Sequence, residues 1–367
     1  MKIVHVSYAR PYPRYPDPRA WIRFLDFYTG VLESLARGAE VISIYHIDYK
    51  GVVEEKGVQY HFTGLREWQL LMPLKLNRYI RTLRPDVVVV HGLTSPWQVL
   101  MLARNLTNSV PIIAEHHAER PLRFARKFLQ RLADRHIRAY LFTSRELAQP
   151  WIENRLIADA RKVKEVMEAS SAFCPMPREV ASQFTGAHGA NAYLWVGRLN
   201  SNKDPLTVVN SFLRFLRITG EARLYMIFQT EELLEEIKNV LSAAGEVSRN
   251  ICLVGKTRRE DMQYWFNSAD FFISGSHYEG SGIAACEAMS CGCIPVLTDI
   301  PSFRMMTGQG KVGLLYEAGN EDALLQALVK SLTVEREGAR EKVLRWFRNE
   351  LSFEAIAEKL MQCIDEV

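Results

Sequence analysis

The chain has 367 residues, 48% of them hydrophobic, and a formal net charge of +4. That is enough apolar material for two buried cores, and no apolar run approaches the roughly 18 residues of a membrane span. The start, Met1 to Arg14, lacks the charged, apolar, small order of a secretory signal, so a cytoplasmic protein is expected.

The segment "KIVHVSY", from Lys2, predicts a strand, and residues 21–37 repeat apolar side chains at helical spacing. Strands follow over 39–46 and 58–64, a helix over 67–84, and a fully apolar strand over 85–92. A helix over 95–106, a strand over 110–117, a basic helix over 121–138 and a strand over 139–144 complete the first half. Strands that are apolar throughout and separated by helices predict a parallel sheet covered on both faces. Residues 169–191 show neither period, carry prolines and glycines, and read as an interdomain linker. Alternation then resumes. Strands are predicted over 192–197, 222–228, 251–255, 270–276 and 293–298, with helices between them and a helical tail from Glu335. The expected organisation is α/β, with two doubly wound Rossmann-like domains, 1–185 and 186–345, facing a cleft, and a final helix over 346–367.

The six cysteines form no C-x-x-C pair, and several sit in apolar segments. They read as reduced core thiols, and Cys291 and Cys293 lack a second pair for zinc. The positive charge lies in the first half: residues 1–188 hold 27 Lys+Arg against 18 Asp+Glu. That excess suits an anionic partner there, and no nucleic-acid module is visible. Along the basic helix, Arg123, Lys127 and Arg131 recur every four residues, with Phe124 and Phe128 at the edge of the arc. Basic and aromatic side chains so arranged suit an anionic bilayer surface, although the same stripe could steer an anionic donor.

Two stretches carry chemistry. In "HYEGSGIAACEAMSCG", from His277, a loop precedes a helix that begins at Gly282 or Ile283 and ends at Gly292. The loop follows a strand's carboxyl end, where ligands of parallel sheets bind. Gly280 and Gly282 would let backbone N–H groups come close to a ligand, and the helix N-terminus favours an anion. Glu287, about one turn into the helix among alanines, could accept bonds from two vicinal hydroxyls, as on a ribose, while Glu279 stands before the turn. A satisfied buried glutamate and a surface acid are the plain alternative. In "YLWVGRLNSNKDP", Gly197 ends a strand, Arg198 and Lys203 flank a polar loop, and Asp204-Pro205 starts a helix. Two fixed cations there suit a diphosphate.

On these residues the sequence resembles family 4 of the GT-B fold retaining glycosyltransferases (glycosyl transferases group 1). Glu279 and Glu287 match its E-x7-E signature, "VGRLNSNKDP" resembles its phosphate-binding segment, and "PDVVVVHG" and "IIAEHH" look like features of its first domain. The resemblance covers most of residues 85–330. It implies an EC 2.4 hexosyltransferase using a UDP- or GDP-linked sugar as substrate, with no cofactor and no metal, in cell-envelope or polysaccharide synthesis. It implies that Arg198 and Lys203 neutralise the diphosphate, Glu287 holds the ribose, Glu279 lies near the donor sugar, and the loop after Gly255 lines the base. It implies further that His116, or its neighbour His117, stands near the reacting carbon, and that the last helix packs back on the first domain. The acceptor would be a glycan or lipid-linked sugar, and the protein could be peripheral on the inner membrane face. The chain has no D-x-D triplet, so a metal-held diphosphate is not indicated. It departs from the family in the loop after the first strand, which has no glycine before Gly30. Arg10, Arg14 and Arg19 could replace backbone contacts there, and Tyr8, Tyr12 and Tyr15 could stack on a sugar, with Arg10 and Tyr12 the leading acceptor-side candidates. A nucleotide-sugar epimerase on the same fold and a catalytically silent partner subunit are the alternatives.

Overall fold

A computed structural model describes residues 1–10, 15–106, 109–189 and 191–367. The chain divides into two units, residues 1–170 with 353–367, and residues 171–352.

The first unit is built on an eight-stranded sheet. Its order is Lys50–Glu55, Val58–Thr63, Glu40–Tyr45, Lys2–Ser7, Val87–His91, Ile112–Glu115, Ile137–Phe142, Val163–Glu165. Neighbours are parallel except the first two, which pair antiparallel across Lys56-Gly57. Both turn residues have positive φ, 49° and 83°, as a two-residue hairpin requires. The sheet interior follows from its sequence: Val87 to Val90 are all buried, which only a strand covered on both faces allows. The segment expected to form one helix over 21–37 is two, Pro18–Phe24 and Asp26–Leu35, broken at Leu25 (φ −94°, ψ 22°). The expected helix over 67–84 is also two, because Pro73 interrupts it after Glu67–Leu71 and before Leu74–Thr82.

The second unit carries a six-stranded, all-parallel sheet. Its order is Ile251–Gly255, Ala222–Phe228, Asn191–Gly197, Phe271–Ser274, Ile294–Thr298, Leu314–Tyr316. Tyr193, Trp195, Phe212, Phe215 and Phe271 form the centre of its core.

The expected boundaries need correction. Residues 171–185 belong to the second unit, because the helix Arg178–Thr185 packs on Met262–Ser268 and Arg178 pairs with Asp270 at 2.6 Å. Likewise Trp346 stays with the second unit, its indole N–H donating to the Met306 carbonyl at 2.8 Å. The chain rejoins the first unit only at Phe353. The helix Phe353–Asp365 then buries Ile356, Ala357, Leu360, Cys363 and Ile364, and it packs on Asp26–Leu35. Gly30 permits that contact, since a Cβ there would lie 2.4 Å from the Phe353 ring.

The basic helix is shorter than expected, Ala125–Asp134. Arg138 lies in the strand Ile137–Phe142, and buried Asp134 accepts from Tyr140 Oη at 3.0 Å and from Lys162 Nζ at 3.2 Å. All six cysteines are free thiols, four of them buried. Among the described residues no helix is long and apolar enough to cross a membrane.

Candidate functional site

In the second unit, two loops at the carboxyl ends of parallel strands are tied together. Asp204, in a left-handed conformation (φ 43°), caps the helix Pro205–Thr219 by accepting from the Thr207 N–H. Its other carboxylate oxygen meets His277 Nε2 at 3.1 Å. The His277 N–H donates to the Asn202 carbonyl at 2.8 Å, and Asn202 Nδ2 donates to the Tyr278 carbonyl at 3.0 Å. Gly275 makes this approach possible: a Cβ there would lie 2.9 Å from the Asp204 carbonyl oxygen. The two loops are thereby stitched, and Lys203 Nζ forms an ion pair with Glu279. Gly197 precedes this loop, and Arg198 beside it is exposed and makes no ion pair among the described residues.

The second acid lies deeper. Gly282 is the N-cap of the helix Ile283–Ser290 with φ 59°, and a Cβ would strike the Phe303 ring at 2.6 Å, so glycine is required on both counts. Gly280 is buried without a left-handed φ, and Ser281 is buried beside it. The first N–H groups of this helix have no intrahelical acceptor and form an anion-favouring end. Glu287 is 3% exposed, and its carboxylate pairs with Arg259. Arg259 stacks its guanidinium 4.5 Å from the centroid of Phe173. Arg259 had no sequence signal beyond being one charge among several in "KTRRED". Gly255 ends its strand with φ 80° and open space around it.

In the first unit, an open cleft of about 370 Å³ is lined by residues that include Tyr28, His46, His91, His117, Glu119 and Glu168. The two histidines left open for the reacting centre differ in placement. His116 is buried against Phe142, ring centroids 4.5 Å apart, and its Nε2 donates to the Glu119 carbonyl at 2.9 Å. His117 lines the cleft instead. Side chains alternate along an extended chain, so Glu115 and His117 share one side while His116 takes the other.

Around His117 stands a network that the sequence did not reveal. His91 Nδ1 is 3.1 Å from His117 Nε2 and 2.8 Å from a Glu115 carboxylate oxygen. His117 Nδ1 is bonded to Glu168, and the His117 N–H donates to Glu119 at 2.6 Å. His91 Nε2 lies 3.3 Å from both Tyr28 Oη and His5 Nδ1. Burial works against a charge on His117, but Glu168, then Glu115 and Glu119, outweigh it and raise its pKa to about 9. Burial and the neighbouring His91 hold His5 down at about 3. Glu115 is buried, which opposes ionisation, yet His91 and His117 keep its pKa below the ordinary carboxylate value. Three of these residues sit at or just beyond the carboxyl ends of separate strands, the usual location for function in a parallel sheet.

The acceptor-side candidates are dispersed. Arg10 pairs with Asp48 and also lines the cleft, whereas Tyr12 and Arg14 lie outside the described residues. Lys127 Nζ donates to Asn154 Oδ1 at 2.7 Å, and Arg131 donates to the carbonyls of Asn154 and Arg155. These two therefore cap the end of a neighbouring helix, Arg145–Glu153. Arg123 is exposed, next to Phe124 (91% exposed) and near Phe128.

Two α/β units, each built on a doubly wound and largely parallel sheet, make up the GT-B fold. The family model described as "Glycosyl transferases group 1" matches residues 178–345, and the one described as "Glycosyltransferase Family 4" matches 4–163, so together they span most of the sequence. The chain belongs to this glycosyltransferase family. Two similar proteins carry the name GDP-mannose:cellobiosyl-diphosphopolyprenol alpha-mannosyltransferase. That of Xanthomonas oryzae pv. oryzae is 29% identical over 33% of this chain and 32% of its own length. That of Xanthomonas campestris is 26% identical over 62% and 59%. The matched region thus spans less than two thirds of either relative. A glycosyltransferase structure from Rickettsia africae superposes with a TM-score of 0.75 at 15% identity, covering 100% of this chain and 97% of that one, which is a likeness of fold.

Proposed function

We propose that the protein is a retaining hexosyltransferase of class EC 2.4, moving a sugar from a UDP- or GDP-linked donor to a glycan or lipid-linked acceptor in cell-envelope or polysaccharide synthesis. The observation that carries this is the loop edge of the second unit, where Lys203, Glu279, the helix start at Gly282 and the buried Glu287 are assembled on stitched loops. The relatives' names specify a GDP-linked donor and a polyprenyl-diphosphate acceptor, which supports the same classes here.

In this reading the diphosphate lies at the N–H groups of Gly280 to Ile283, with Arg198 and Lys203 as counter-charges and no metal or cofactor at the phosphates. Glu287 takes the ribose hydroxyls, exchanging part of its contact with Arg259, and the loop after Gly255 lines the base. The C1–O bond to the diphosphate breaks, and the acceptor oxygen bonds to C1 on the same face. Its proton passes to the departing phosphate oxygen. Lys203 and Arg198 meet the charge that grows on that oxygen, which is where a preorganised cation lowers a barrier most. Of the two adjacent histidines left open for the reacting centre, this reading assigns that role to His117, which lines the first unit's cleft. The enzyme works at the cytoplasmic membrane face, with Arg123, Phe124 and Phe128 as its contact to lipid.

The test is a thermal-shift panel of GDP-, UDP- and ADP-sugars on the purified chain. It is followed by transfer to a polyprenyl-diphosphate-linked glycan with the product anomer read by NMR. A donor at 100 times its Kd stabilises by about 2.7 kcal/mol, enough to rank the panel. Stabilisation by no nucleotide sugar would overturn the reading, and an inverted anomer would overturn retention.

A further inference from the structure

We propose that His91, Glu115 and His117 form a binding site for one divalent transition-metal ion in the first unit, with open coordination positions facing the cleft.

The ligand atoms already form the right triangle. His91 Nδ1, His117 Nε2 and Glu115 Oε2 are separated by 3.1, 2.8 and 3.7 Å. With metal–ligand bonds of about 2.1 Å, those separations subtend angles of about 95°, 85° and 125°, in that order, at a common ion. These angles fall within the range of tetrahedral and distorted octahedral sites. The other potential donor atoms are turned to second partners. His117 is held through Nδ1 by Glu168, which leaves Nε2 for the ion. His91 is held through Nε2 by Tyr28 Oη and His5 Nδ1, which leaves Nδ1. Metal-binding imidazoles are oriented in this way, the far nitrogen engaged by a carboxylate or another polar group.

An independent observation points to the same place. Glu115 is 4% exposed, and its Oε2 accepts no hydrogen bond among the described residues, although His91 Nδ1 lies 2.8 Å away. A buried carboxylate oxygen left in that condition is costly unless a cation completes it. Glu115, Glu119 and Glu168 also surround two imidazoles that are neutral when they ligate, so the local charge favours a dication. Two imidazoles and one carboxylate suit zinc, manganese, iron or cobalt rather than calcium or magnesium. Three protein ligands leave positions for water or a substrate hydroxyl, and His91 and His117 both line the cleft. The residues assigned to the donor diphosphate, Arg198 and Lys203, belong to the second unit and are no part of this ligand set. When bound, the ion would face the cleft in place of the free His117 imidazole.

The experiment uses the full chain, stripped with a chelator, dialysed, and titrated with zinc chloride by calorimetry. Bound metal is counted by mass spectrometry, and cobalt(II) supplies a ligand-field spectrum. The expected result is one zinc per chain. His91→Gln and Glu115→Gln should each abolish the stoichiometric binding and the cobalt spectrum. Glu168→Gln, a positioning change that keeps the side-chain shape, should weaken zinc by about 10–100-fold. His188→Gln, at an exposed histidine of the second unit, should change nothing. Circular dichroism checks each variant, and Glu168→Gln keeps the test decisive if Glu115→Gln does not fold. Absence of stoichiometric zinc would overturn the site and leave a proton-sharing histidine chain. Binding unchanged in both His91→Gln and Glu168→Gln would overturn it as well. None of these readouts depends on transfer, so failure of the metal site and failure of the transferase reading are separable.

Discussion

Replacing Glu287 by alanine should weaken nucleotide binding without unfolding the second unit. Two quantities decide this. On the folding side, Glu287 is buried but its partner Arg259 is 40% exposed, so the cation left behind can turn to water. A pair with one solvated end is worth about 1 kcal/mol or less, and alanine favours the helix Ile283–Ser290. On the binding side, a carboxylate that bonds two hydroxyls in a largely dry position contributes about 1.5–3 kcal/mol, which is roughly a ten- to hundredfold change in Kd. Calorimetry with GDP and with UDP, on wild type and Glu287→Ala, measures that ratio directly, and the melting temperature reports the folding cost alongside. Glu287→Gln, which keeps the shape and loses the charge, should fall between the two. An unchanged Kd for every nucleotide would show that Glu287 serves the fold and not the ligand, and the ribose assignment would fail.

Three further outcomes follow from the geometry. Lys203→Ala and Arg198→Ala should each lower kcat about 10²-fold with smaller effects on melting temperature; a double variant with near-normal turnover would remove the diphosphate clamp. Gly30→Ala should detach the helix Phe353–Asp365, because the new methyl overlaps the Phe353 ring; accelerated proteolysis after residue 352 reports this, and wild-type resistance would contradict it. Burial first, and then the Arg10 charge, hold the pKa of His46 at about 4 against the Ser7 carbonyl that its ring bonds. The unfolded chain binds that proton near 6.5, so stability from His46 is complete above that pH and drains away between 6.5 and 4. Urea midpoints should therefore drop across that window, and His46→Gln should flatten the drop; an unaltered slope would exclude His46 as a cause.

The sequence was most informative where one residue type has one physical use. Runs such as Val87 to Val90 must be interior strand, and Asp204-Pro205 must start a helix. Elements that it hid are short or half-exposed: the strands Val163–Glu165 and Leu314–Tyr316, and the edge strand Lys50–Glu55, in which exposed and half-buried residues alternate. Pro73 was a readable break that the strong apolar period around it masked. In the site, the loop residues of the second unit were legible because glycines and two glutamates share one short stretch, 279–287, and Arg198 and Lys203 flank another short loop. The histidine network was not legible, because His5, His91, His117 and Glu168 come from separate strands and only the sheet order brings them together. The adjacent pair His116 and His117 could not be separated by residue type, since the side each faces depends on where the pleat of its strand begins.

The return of the final helix to the first unit also sets an order of synthesis. The second unit is one uninterrupted stretch, 171–352, and its core can close as soon as that stretch leaves the ribosome. The first unit is made earlier, yet the apolar surface of Asp26–Leu35 stays uncovered until Phe353 to Ile364 emerge, after the whole of the second unit. The half of the molecule that is translated first is therefore the half that finishes folding last, and a nascent chain stalled before residue 353 would present that bare helix to chaperones.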